Sequence, residues 1–98
     1  MLDFYFINDN QTSPNYPNQD LELAGSLDAK TFNNLIRKGM IDSRFDYYSD
    51  FRWSEMLVKQ IRQTIEDKQF YSDTDGEKLL LLMDTAISRQ SGLIAYGD

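Results

Sequence analysis

The chain contains no cysteine and no histidine in 98 residues. Without cysteine there is no disulfide framework and no thiolate nucleophile. Without histidine there is no imidazole base near neutral pH, no Ser-His-Asp triad and no Cys-His pair. Zinc sites draw on the same two residue types, so no metal or cofactor site is expected. The chemistry left to the chain is that of carboxylates, hydroxyls, lysine and tyrosine. The glycines, at 25, 39, 76, 92 and 97, are too scattered for a phosphate-cradling loop. No apolar run approaches the roughly 18 residues of a membrane span. Met1-Leu2-Asp3 runs straight into Phe4-Tyr5-Phe6-Ile7 with no basic stretch ahead of it, so no secretory signal is expected. Together with the missing cysteine, this gives a cytoplasmic expectation.

Positive charge is absent from the first third of the chain. Residues 1–29 hold five acids (Asp3, Asp9, Asp20, Glu22, Asp28) and no base, and the whole chain carries −6. Such a field repels nucleic-acid backbones and anionic membranes and attracts basic proteins. It also keeps a small domain soluble. What the chain does have is rings: aromatic residues make up 13% of it, enough to build a core without a metal or disulfide staple. One domain spanning residues 1–98 is expected.

Leu2–Asn8 is nearly continuous in apolar character, as in a strand covered on both faces. Residues 9–19 are turn chemistry throughout, a long loop for so small a domain. Alternation over Asp20–Ala24 predicts a short second strand. Ser26 or Asp28 caps a helix ending near Lys38, with Gly39 as its stop. A second helix is expected from Ser49 or Asp50 to about Lys68, with Trp53, Met56, Leu57, Ile61 and Ile65 on one face. Thr74-x-x-Glu77 fits a capping box for a third helix reaching about Gln90. Gly92 reads as its stop, and Leu93–Tyr96 as a last strand or a packed tail. The expected fold is α+β, a two- or three-stranded sheet against about three helices.

Three patterns bear on function. Asp73-x-Asp75-Gly76 resembles part of a calcium loop, but aligning Gly76 at loop position 6 puts Tyr71 and Leu82 where oxygen ligands belong. Asp42, Asp46 and Asp50 recur every fourth residue, and so small a domain has little room for the cleft that carboxylate catalysis needs. Turn and cap chemistry accounts for them. The segment Arg44–Trp53 holds five aromatics, two arginines and two aspartates. Those types dominate interface hot spots. They also build cores, so Phe45, Phe51 and Trp53 are expected inward and Tyr47 and Tyr48 partly exposed.

The expectation is therefore a non-enzymatic protein-binding module of inhibitor or immunity type, with a basic partner. Its contacts would be Tyr47, Tyr48, Arg52, Asp9, Asp20 and Glu22. The alternative is a structural or self-assembling protein, such as a homodimer formed through a free strand edge at Phe4–Ile7 or an apolar helix face, and the remote alternative is an enzyme using only carboxylates and tyrosine.

Overall fold

The computed structural model describes residues 1–14 and 21–97. Asp20, one of the expected contacts, lies outside them. At the centre of the fold, β1 (Leu2–Ile7) pairs antiparallel with β4 (Gly92–Tyr96), in register from Asp3 opposite Tyr96 to Ile7 opposite Gly92. β2 (Leu23–Leu27) lies beside β1, and β3 (Phe51–Trp53) beside β4. The sheet is thus four-stranded, in the order β2-β1-β4-β3, with every pair antiparallel.

The α+β class holds, and the strand number is corrected from two or three to four. The added strand is β3, which the sequence reading had merged into the following helix. The proposed free edge at Phe4–Ile7 is also corrected: β1 is flanked on both sides. Among the described residues the outer strands are β2, which carries an irregularity opposite Phe4 and Tyr5, and the three-residue β3.

Period-two alternation sends Leu2, Phe4 and Phe6 of β1, Leu93 and Ala95 of β4, and Phe51 and Trp53 of β3 to one face, where the helices pack. Tyr5, Ile7, Ile94 and Tyr96 point the other way and form a second, smaller cluster with Leu21. Every position of β4 is buried. That explains why β1 and β4 read as continuous apolar runs rather than as alternating ones.

α1 (Ala29–Arg37) starts at Asp28, whose carboxylate accepts from the Thr31 N–H at 2.7 Å. It stops where Gly39 takes φ +79°, a conformation that glycine adopts without strain. α2 (Glu55–Asp67) starts at Ser54, which accepts from the Leu57 N–H, four or five residues later than the expected Ser49 or Asp50. Its buried face is Val58, Ile61 and Ile65, and Met56 points to solvent. α3 (Thr74–Ser88) is capped by Asp73 rather than Thr74, which places Gly76 at the third helical position where the capping box had Glu77. Gln90, with φ 51°, turns the chain after α3, and Gly92 opens β4 instead of stopping the helix. No helix among the described residues is long and apolar enough to cross a membrane.

The helix-side core is aromatic where α1 meets β3. Phe4 and Trp53 lie 5.2 Å apart and Phe32 and Phe51 6.0 Å apart, both as tilted pairs at separations where rings attract. Trp53, Phe4 and Phe32 are fully buried, which is worth roughly 2–3 kcal/mol per ring. The Trp53 Nε1–H finds no acceptor among the described residues.

Gly76 is required by packing. A Cβ there would run into the Phe70 carbonyl oxygen, a backbone atom that cannot swing aside. Helix propensity alone makes Gly76→Ala a gain of about 1 kcal/mol. Chemical denaturation is expected to show a loss of about 2 kcal/mol or more instead.

A second test concerns acid. Lys38 binds Asp73 at 2.9 Å and Asp75 at 3.2 Å, joining the end of α1 to the start of α3. The Lys38 ammonium, with the Gly76 N–H, holds the Asp73 carboxyl below its usual pKa. The Thr31 N–H does the same for Asp28. Both groups bind protons more weakly when folded. Their stabilisation is therefore complete above the ordinary aspartate pKa of about 3.9 and disappears as pH falls through the depressed values. Asp73→Asn keeps a capping oxygen without the charge. Its urea midpoint should fall less steeply than wild type below about pH 4. A slope identical to wild type would contradict the assignment.

Candidate interaction site

The chain from α1 to β3 is fastened by its aspartates. Asp42 Oδ1 accepts from the Arg44 N–H at 2.9 Å, and the Phe45 N–H donates to the Asp42 carbonyl at 3.1 Å. The pattern repeats four residues on. Asp46 Oδ1 accepts from the Tyr48 N–H at 3.1 Å, and the Ser49 N–H donates to the Asp46 carbonyl at 3.1 Å. Asp50 Oδ1 then accepts from the Gly97 N–H at 3.1 Å. The every-fourth-residue spacing thus builds two successive Asx turns and a cross-link to the end of β4, not a helix face.

These turns sort the rings. Phe45 faces the core, 5.0 Å from Phe51. Tyr47 is half-buried, 6.1 Å from Phe32. Tyr48 stands edge-on to Tyr47 and is 68% exposed, so it is free to be covered by something else. The backbone of residues 47–49 lies close against Gly97, where a Cβ would collide with it.

Arg52 leaves β3 on the face away from the helices. Its guanidinium donates to the carbonyls of Asn8 (2.5 Å) and Gln11 (2.6 Å) and to Ser13 Oγ (2.9 Å). The Tyr96 hydroxyl donates to the Pro14 carbonyl at 2.9 Å. Residues 8–14 are thereby strapped across the outer face of the sheet. Asp9 pins the same strap to α2, accepting from the Glu55 N–H at 3.0 Å. Ser13, Pro14, Asp50, Phe51, Arg52, Ile94 and Tyr96 enclose a recess of about 290 Å³. Burial, reinforced by the Asp50 charge, pushes the Tyr96 hydroxyl pKa up, while Arg52 opposes it. A tyrosine shifted that way stays protonated and serves as a donor.

Of the expected contacts, Tyr47, Tyr48 and Arg52 belong to one continuous stretch leading into β3 and lie at one edge of the sheet. Asp9 is engaged by the first turn of α2. Glu22 is at the opposite edge, paired with Arg89, whose guanidinium stacks 4.3 Å over Phe6. Glu22 is therefore apart from the aromatic stretch, whereas Asp9 lies on the strap that Arg52 holds. Asp50, Tyr96 and Pro14 complete the recess and were not among the expected contacts. Asp50 lay within the highlighted segment, but Tyr96 and Pro14 meet it only through the strand order. Among the described residues no group of three or more acids could hold a metal ion.

Arg52→Ala should release the strap. Hydrogen bonds from a charged donor are each worth about 1.5–3 kcal/mol when sheltered, and these are partly exposed. A total loss of about 1–3 kcal/mol is expected, with faster amide exchange at residues 8–14 and little change in α3. Unchanged exchange at 8–14 would show that Arg52 does not hold the strap.

Compared with known proteins, the chain matches no family, no curated protein and no solved structure.

Proposed function

We propose that this chain is a non-enzymatic protein-binding module, of inhibitor or immunity type, that engages a basic surface on another protein with residues 42–52. One observation carries the reading: Tyr48 is presented to solvent on turns already fastened by Asp42, Asp46 and Asp50. A pre-organised aromatic loses little freedom on binding, which is the usual condition for an interface anchor. The carboxylates around it, in a chain of charge −6, supply attraction and steering toward a cationic partner. The same field argues against nucleic acid as the direct ligand. The missing cysteines suit action in a reducing cytoplasm.

The test is affinity capture from the native cell, with mass spectrometry, at low and high salt. A basic protein should be retained at low salt and lost at high salt. Tyr48→Ala should weaken its binding by roughly tenfold or more. Because Tyr48 is exposed, folding stability should move by no more than about 0.5 kcal/mol. Full affinity in Tyr48→Ala would remove the anchor and the reading with it.

A further inference from the structure

A groove of about 330 Å³ runs along α2, between the helix and the chain that follows α1. Its helix wall is Leu57, Ile61 and Thr64, four and three residues apart on one face. Its floor is apolar, with Met40 and Ile61 buried. Phe45 packs on Phe51 and Trp53, at the entry to α2, and marks one end. Gly39 marks the other. A Cβ there would stand 2.6 Å from Nζ of Lys68, the residue one turn beyond Thr64 on the same face. The missing side chain thus leaves the room in which that ammonium lies.

The cations at its two ends lack carboxylate partners. Lys38, Lys59, Arg62 and Arg89 each pair with an acid. Arg44 and Lys68 form no ion pair among the described residues. The Arg44 guanidinium lies 4.8 Å over the Phe45 ring instead. Asp42 is the one acid lining the groove, and its Oδ1 already accepts from the Arg44 N–H. In a chain of charge −6, two such cations on one apolar groove favour an anionic occupant. The field of more distant acids is screened over about 8–10 Å at ordinary salt, so the cations beside the groove govern what enters it.

We propose that this groove is a binding site for a small aliphatic carboxylate. The head lies at Lys68, the end that Asp42 does not offset, and accepts from the ammonium in the room beside Gly39. The chain lies on Met40, Ile61 and Leu57 and points toward Phe45. An aliphatic body fits better than a ring. Phe45 is the one ring lining the groove among the described residues, and Arg44 lies over its face, so stacking is not on offer. Arg44 closes the far end and adds attraction without touching the head.

This inference does not rest on a protein partner, because the probe is read on the chain alone. The test is an NMR titration of the labelled chain with octanoate. Acetate, which lacks the chain, and octylammonium, which has the opposite charge, serve as comparisons. Octanoate should shift the amide signals of Gly39, Arg44 and Thr64 and saturate with a Kd of about 1 mM. Acetate and octylammonium should bind at least about tenfold more weakly. Lys68→Gln should weaken octanoate about three- to tenfold, and Arg44→Gln less. Thr64→Glu puts a carboxylate in the groove, in the favourable order to pair with Lys68, and should cost about tenfold or more. All three changes are at the surface, and amide signals away from the groove check that each variant is folded. Octylammonium binding as well as octanoate, no saturable shift, or full affinity in Lys68→Gln each overturns the proposal.

Discussion

The pairing of β1 with β4 is the constraint on which the rest of the structure depends. It joins segments some 90 positions apart in sequence, Asp3 to Tyr96 at one end and Ile7 to Gly92 at the other. Both outer strands attach to this pair, and both layers of apolar contact are built on its two faces. Closing so long a loop costs chain entropy before any contact repays it. The helices are more local, each started by its own polar cap, at Asp28, Ser54 and Asp73. They provide a ready apolar surface on which the distant strands can meet.

The sheet has unlike covers. The helix side is an ordinary core, dense in rings and leucines. The other side is covered by the strap, with Arg52 and Tyr96 donating to backbone carbonyls of residues 8–14. This solves a problem for a four-stranded sheet with only three helices, all on one face: the apolar residues Ile7 and Ile94 would otherwise face water. It also ties β3 to the loop after β1, across β4. The cation needed for this comes from the same segment that exposes Tyr48, so solvent-facing ring and structural fastening alternate within a few residues.

Much of this was legible because local chemistry and tertiary structure agree. The continuous apolar run of Leu2–Asn8 announced a strand buried on both faces, and α1 came with its cap and its glycine stop. β3 was not legible. Three residues are too few to show alternation, and Trp53 happens to fall at helical spacing from Met56 and Leu57, so the ring was assigned to the helix. β2 was placed three residues early, because Asp20–Ala24 alternates cleanly while the true strand contains Gly25 and Ser26. In the candidate site the aromatic segment stood out by composition. Arg52's role did not, since its partners are main-chain carbonyls more than 40 residues away, and a carbonyl leaves no mark in a sequence. The Asp42–Asp46–Asp50 spacing was visible, but only the structure shows that each carboxylate serves a backbone N–H.

The central pairing also fixes how the domain answers to force. Because β1 and β4 are antiparallel, the start of β1 and the end of β4 lie side by side at the same end of the sheet. Tension applied through those two ends loads the inter-strand hydrogen bonds one after another, along their own length, instead of all together across it. The sheet therefore opens like a zipper from the Asp3–Tyr96 pair. A sheet loaded in this way yields to modest pulling, with Asp50's grip on the Gly97 N–H among the first bonds to part.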